Sequence, residues 1–147
     1  MAEGPSSYGR YLFELHEQLK ADTVIITRLK LSLLLMLNDR SVPWLILVPE
    51  RDGVRELHEL AREDRRQLTE EVVLASRAIQ NLYNPDKLNI GSLGNLVPQL
   101  HVHVIGRYKT DRAWPGPIWG TGPRRPYSPD EAAMACKRLK EAIERII

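Results

Sequence analysis

Two histidines at alternate positions of one short segment are the residues of this chain best suited to chemistry. The segment Gln99-Leu-His-Val-His103 alternates polar and apolar side chains, which is the period of a β-strand with two different faces. Gln99, His101 and His103 are therefore expected to point to one face, with neighbours about 6.5 Å apart. A neutral imidazole can attack phosphorus, and a second imidazole can donate a hydrogen bond to a phosphate oxygen.

Three interpretations of this histidine pair are open. A His-x-His pair on a strand is a frequent pair of zinc, iron or manganese ligands, but no carboxylate follows at the spacing of a third ligand. The other two histidines, His16 and His58, are expected in or beside helices. Both motif histidines could instead be ordinary hydrogen-bonded residues. Phosphate chemistry explains more, because the glycine-bearing loop Gly91–Asn95 offers backbone N–H groups to phosphate oxygens.

Composition predicts one globular domain spanning residues 1–147, with residues 1–7 as a flexible terminus. The chain is 43% hydrophobic and 27% charged, which is ordinary for a soluble protein of this length. A net charge of only +2 predicts no nucleic-acid partner. The single cysteine, Cys136, excludes an intrachain disulfide. We find no apolar signal segment or membrane span, so we expect a cytoplasmic protein without a membrane partner.

The periodicity of apolar residues predicts three helices and five strands. Helices are expected over residues 8–19, 61–83 and 128–147, the last opened by the capping box Ser128-Pro-Asp-Glu131. The strands are expected at Thr23–Ile26, Lys30–Leu37, Trp44–Val48, Lys87–Ile90 and from Gln99 to Arg107. Short connections between consecutive strands favour an α+β fold, a five-stranded antiparallel meander with helices packed on one side.

Five basic residues follow the histidine segment, and they form either a solvated loop surface or a rim that attracts phosphate. These residues are Arg107, Lys109, Arg112, Arg124 and Arg125.

The histidine segment resembles the motif of the histidine triad (HIT) family, His-φ-His-φ-His-φ-φ, where φ is an apolar residue. Residues 99–105 match every position except the first, where Gln99 stands. Flanking segments from about residue 14 to residue 107 also resemble the family, among them the paired strands before Asn38, the strand 45–49, the segment 55–60 and the loop 89–95. The resemblance implies a five-stranded antiparallel sheet with helices, usually a homodimer, that hydrolyses or transfers nucleotides.

Roles for individual residues are implied by the same resemblance. The family cleaves at the α-phosphate of nucleotidyl substrates such as dinucleoside polyphosphates or nucleoside phosphoramidates. The middle histidine, here His101, forms a covalent nucleotidyl intermediate, and the last, His103, contacts the phosphate or the leaving group. Nucleotide contacts are expected from Asn38 at the ribose, Asn95 at the phosphate, Asn89 and Trp44. No cofactor is required, and a divalent cation would arrive with the substrate.

Two positions depart from the family's pattern. Gln99 can form hydrogen bonds but cannot titrate near pH 7. An upstream histidine of the family is here Trp44, which either packs in the core or stacks on a base. Two titratable members of the usual proton relay are therefore missing. The hypotheses are a hydrolase or transferase working through His101, a dimeric nucleotide-binding module without turnover, and a metal-dependent enzyme.

Overall fold

A computed structural model describes residues 13–147, and its elements follow the order predicted from the sequence. The elements are α1 (Glu17–Asp22), β1 (Thr23–Arg28), β2 (Ser32–Leu37), β3 (Trp44–Pro49), a short 3-10 helix (Leu57–Glu59), α2 (Arg62–Tyr83), β4 (Lys87–Gly91), β5 (Val102–Arg107) and α3 (Pro129–Ile146). All strand pairs are antiparallel, so the α+β class and the five-stranded antiparallel sheet are confirmed.

The strand order β1-β2-β3-β5-β4 differs from the expected meander at one place. Strands β1 to β3 are consecutive neighbours, but β5 lies between β3 and β4. The 22-residue helix α2 connects β3 to β4, and it is long enough to carry the chain past the position next to β3. His103 on β5 is consequently paired on both sides, with Ile46 of β3 and Gly91 of β4.

Both faces of the sheet are covered, and this explains the continuous apolar runs of β2 and β3. The long helices α2 and α3 pack on one face, as predicted, over a core that includes Leu34, Leu45 and Val104. The opposite face, which carries His103, is covered by the segment around α1 and by the loop that contains Ile118. The histidine strand therefore lies in the interior of the protein.

The first helix begins later than the sequence predicted. Residues 13–16 are not helical, and the predicted part before residue 13 lies outside the described residues, as does the terminus 1–7. The side chain of Gln99 accepts a hydrogen bond from the backbone N–H of His16 (2.8 Å) and donates one to the carbonyl of Glu14 (2.9 Å). These long-range bonds hold the segment in a non-helical conformation, and the His16 side chain caps α1 by accepting from the N–H of Gln18.

The segment after β5 is held in place by a buried arginine. Arg107 is 1% exposed, and its guanidinium pairs with Asp111 at 2.8 Å. It also donates to the side chain of Asn89 and to the carbonyl of Gly116, both at 2.7 Å. Because every donor of a buried charge needs a partner, this network fixes the loop that leads to Trp119.

The remaining expectations for the last helix are confirmed. Ser128 and Glu131 form the predicted capping box, and Cys136 packs against the core from a partly buried position.

Within residues 13–147, no helix combines the length and the apolar composition that crossing a membrane requires.

Candidate functional site

A cavity of about 850 Å³ opens beside the two motif histidines. One wall is formed by α1 and the residue before it, and another by the loop 93–97. Leu37 and Ile46 of the sheet contribute apolar surface, and Arg124 reaches the cavity from the segment before α3. Its size and its mixture of apolar surface with a few polar groups are typical of small-molecule sites.

His101 is fixed by one hydrogen bond in a form that can act as a nucleophile. The residue is 5% exposed, and its Nδ1 lies 2.7 Å from the carbonyl oxygen of Gln99. Because a carbonyl oxygen only accepts, Nδ1 carries the proton and Nε2 keeps its lone pair. Burial lowers the pKa of His101 and outweighs the opposing effect of the Gln99 carbonyl, while nearby His16 lowers the pKa further. The imidazole is therefore neutral near pH 7.

His103 is enclosed by three aromatic rings. The ring centroids of Trp44, Trp119 and His101 lie 5.9, 5.5 and 5.0 Å from that of His103, all in edge-on arrangements. The indole Nε1 of Trp44 donates a hydrogen bond to Nδ1 of His103 at 2.9 Å. Burial lowers the pKa of His103 to about 3, with smaller electrostatic contributions from His101 and Arg124. His103 is neutral, with its proton on Nε2.

The side chain of Gln99 does not face the imidazoles as the sequence predicted. Strand β5 begins only at Val102. Gln99 therefore precedes the strand, and its side chain does not follow the alternation of faces along it. Both polar atoms of the side chain bind the segment that leads into α1. Gln99 thus contacts the ring of His101 through its backbone carbonyl, and its side chain anchors one wall of the cavity.

Among the three predicted asparagines, Asn95 lines the cavity, and the other two do not. The side-chain oxygen of Asn38 accepts a hydrogen bond from the backbone N–H of Tyr127 at 2.9 Å. That of Asn89 accepts from Arg107. The structure therefore places Asn38 and Asn89 in contacts that support the fold, and it does not bring them to the motif histidines.

The sequence did not indicate that Arg124 and Trp119 lie beside the motif histidines. Arg124 lines the cavity beside His103, and its guanidinium lies 3.4 Å from the carboxylate of Asp22. Trp119 packs on His103, and its ring also covers Gly91, where an added Cβ would lie only 3.1 Å from the indole. The basic cluster contained Arg124, and two of its other four members, Arg107 and Arg112, form ion pairs with Asp111 and Asp39.

Comparison with known proteins places this architecture in a family. The HIT domain matches residues 18–110, more than half of the chain. The chain belongs to the histidine triad family. The comparison with curated proteins found no match.

Three solved HIT structures are similar over nearly their whole length. A histidine triad protein from Sinorhizobium meliloti is 41% identical, with a TM-score of 0.88, over 90% of this chain and 98% of that one. One from Marinobacter aquaeolei is 42% identical, with a TM-score of 0.88, over 92% and 98%. One from Bradyrhizobium japonicum is 42% identical, with a TM-score of 0.86, over 89% and 98%.

A metal ion at the motif histidines would need further ligands from nearby side chains. Within residues 13–147, no group of three or more His, Cys, Asp or Glu side chains is arranged to hold a metal. His101 and His103 each have Nδ1 engaged in a hydrogen bond, with Gln99 and Trp44 respectively. A zinc site needs at least three protein ligands, so the hypothesis of a metal-dependent enzyme stays a prediction, which metal analysis of the purified protein tests.

Proposed function

We propose that this HIT protein is a nucleotide hydrolase or transferase in which His101 is the nucleophile. The observation that carries the proposal is the 2.7 Å contact between Nδ1 of His101 and the carbonyl of Gln99, which leaves the lone pair on Nε2. Membership of the HIT family supports a nucleotide-binding or hydrolase type of activity. The cavity beside His101 supplies the room for a nucleotide.

The reaction proceeds in two displacements at the α-phosphorus. In the first, Nε2 of His101 forms a bond to phosphorus, the bond from phosphorus to the leaving group breaks, and its electron pair departs with the leaving group. The ring becomes positively charged, and the carbonyl of Gln99 stabilises the N–H at Nδ1. In the second, water or another hydroxyl acceptor bonds to phosphorus, the bond from phosphorus to Nε2 breaks with its electron pair returning to Nε2, and the proton of the acceptor passes to solvent. No resident cofactor takes part, and a divalent cation enters with the substrate.

The lining of the cavity divides into apolar and polar parts that suit a nucleotide. Leu19, Leu37 and Ile46 provide apolar surface for the base. Asn95 lies in the loop 93–97 on the same cavity, and its side-chain amide is assigned to the phosphate oxygens. Arg124 adds a positive charge near His103, where the leaving phosphates would collect.

Substitution of His101 tests its role as the nucleophile, and a second histidine variant serves as the matched control. The variant His101→Ala should lose about 1,000-fold or more in kcat/KM toward dinucleoside polyphosphates, because no other group can form the intermediate. The control is His58→Ala, since His58 is exposed on the short 3-10 helix and does not line the cavity. Equal hydrolysis by the wild type and His101→Ala would contradict the proposal.

The second candidate is a nucleotide-binding module without turnover. It is favoured by the two departures from the family's pattern, Gln99 and Trp44, because neither side chain can carry a proton. Calorimetry that shows binding of AMP, together with no product from any dinucleoside polyphosphate or phosphoramidate in long incubations, would establish it. Any turnover that depends on His101 would reject it.

We also propose that the chain forms a homodimer. Strand β4 lies at the edge of the sheet. Ile90 on this strand and Leu93 and Leu96 just after it are 53%, 51% and 94% exposed. An edge strand with exposed apolar side chains is a natural surface for pairing with a second copy.

A further inference from the structure

The contact between Trp44 and His103 restricts what His103 can do with its proton. Trp44 is 5% exposed on β3, and its indole Nε1 lies 2.9 Å from Nδ1 of His103. An indole N–H donates and never accepts, so it stabilises only an unprotonated Nδ1. A histidine at position 44 could take up or pass on a proton, whereas tryptophan cannot.

The charged groups near His103 offer no substitute route for a proton. The cavity on one side brings His16, Asp22 and His101 near it, and a second cavity of about 350 Å³ on the other side brings Arg112. Arg124 lines both cavities. The carboxylate of Asp22 is paired with Arg124 at 3.4 Å, and Arg112 is paired with Asp39 at 3.0 Å. Within the described residues, no carboxylate is hydrogen-bonded to His103.

We propose that Trp44 is a positioning residue that sets the class of leaving group, by holding His103 as a fixed Nε2–H donor that cannot relay a proton. Cleavage is then limited to substrates whose leaving group departs as a stable anion, that is, a phosphate or polyphosphate oxygen. Nucleoside phosphoramidates, whose amine must be protonated as it leaves, are poor substrates. This inference rests on the proposed function.

The chemistry of the two leaving groups explains the restriction. When the bond from phosphorus to a phosphate oxygen breaks, the electron pair stays on that oxygen and the Nε2 proton stays on His103. The leaving group departs as an anion, and no proton transfer is needed. When the bond from phosphorus to nitrogen breaks, the departing nitrogen must gain a proton. His103 could supply it only by becoming an imidazolate or by taking a proton at Nδ1, where the indole N–H of Trp44 blocks the lone pair.

Nuclear magnetic resonance of the resting protein tests the hydrogen-bonded form without any substrate. In wild-type protein with ¹⁵N-labelled histidine, we expect the Nδ1 of His103 to be unprotonated and Nε2 to be protonated throughout pH 5 to 8. In Trp44→Phe, which keeps an aromatic ring but removes the N–H, we expect the Nδ1 shift to change and the second tautomer to appear. The control Trp119→Phe removes an indole that packs on the same ring but makes no hydrogen bond within the described residues, and it should leave the tautomer unchanged.

The outcomes of this measurement separate the proposal from a packing role for Trp44. A protonated Nδ1 in the wild type, or titration of His103 between pH 5 and 8, would overturn the proposal. An unchanged tautomer in Trp44→Phe would also overturn it, because the N–H would then have no effect.

Kinetics with two matched substrates test the leaving-group class. Wild-type protein should prefer diadenosine tetraphosphate over adenosine 5′-phosphoramidate by about 100-fold or more in kcat/KM, which is the usual contribution of general acid catalysis. Trp44→His restores a side chain that can carry a proton, and it should reduce this preference at least about tenfold by raising phosphoramidate turnover. Trp119→Phe should retain the wild-type preference.

The kinetic outcomes distinguish failure of this inference from failure of the proposed function. A wild type that prefers the phosphoramidate, or an unchanged preference in Trp44→His, would overturn the inference while turnover still depended on His101. Absence of turnover that depends on His101 with either substrate would contradict the proposed function, and with it the leaving-group class. In every case, the nuclear magnetic resonance measurement determines the tautomer of His103 independently of turnover.

Discussion

At the scale of single residues, the two motif histidines differ in role because different groups form the hydrogen bond at their Nδ1 atoms. A backbone carbonyl accepts from His101, and an indole N–H donates to His103. The two hydrogen bonds have opposite directions, so they leave opposite groups at Nε2: a lone pair on His101 and an N–H on His103. One ring is thereby suited to attack phosphorus and the other to hold a phosphate oxygen.

These assignments predict a simple dependence of activity on pH. The nucleophile must be neutral, so kcat/KM falls as the pH drops through the pKa of His101, which burial places below the ordinary value of 6.5. His103, with a pKa of about 3, contributes no transition above pH 4. A profile measured with a dinucleoside polyphosphate should therefore be flat from pH 8 to 6.5 and then fall with a slope of one. A fall that begins above pH 7, or a slope of two, would contradict the assignment.

The sequence predicted the pair His101 and His103 because their spacing and the strand period are local properties. It did not predict the side-chain partners of Gln99, Asn38 and Asn89, because these partners are distant along the chain. Gln99 binds a segment 83 residues away, and Asn38 binds the backbone of Tyr127, 89 residues away. No local sequence pattern predicts contacts between such distant residues. The side chains that surround the two imidazoles are therefore known only from the folded structure.

At the scale of elements, the interior position of β5 determines the rigidity of the site. The strand is hydrogen-bonded on both sides, and Trp44 on the adjacent β3 and Trp119 from the following loop reach His103 from two directions. The meander expected from the sequence would have placed this strand at an edge. The periodicity predicted the strands correctly, but the path of α2 over the sheet depends on packing that one sequence does not display.

The buried ion pair that holds the loop after β5 yields a prediction about stability. Arg107→Ala leaves the carboxylate of Asp111 without its guanidinium, and it should lower the free energy of unfolding by about 3–5 kcal/mol in urea titrations. The control Arg145→Ala removes an exposed arginine that pairs with Glu141, and it should cost no more than about 0.5 kcal/mol. A loss below about 1 kcal/mol for Arg107→Ala would show that the network does not hold the loop.

At the scale of the whole molecule, the open edge of the sheet predicts the oligomeric state. Sedimentation equilibrium should give twice the 16.8 kDa mass of one chain. Ile90→Glu places a charge on edge strand β4 and should shift the protein to a monomer. The control Met134→Glu changes an exposed apolar residue on α3 and should leave the dimer intact. A monomeric wild type, or a dimer unaffected by Ile90→Glu, would contradict the proposed dimer.

The central claim, that His101 becomes covalently attached to a nucleotide, is tested most directly by trapping the intermediate. Protein mixed with a dinucleoside polyphosphate, quenched at alkaline pH and digested under the same conditions, is analysed by mass spectrometry. The account predicts a nucleotidyl group on His101, on the peptide that contains residues 99–107, which is stable in alkali, labile in acid and missing from His101→Ala. Turnover by the wild type with no adduct at His101, or with the adduct on another residue, would contradict it.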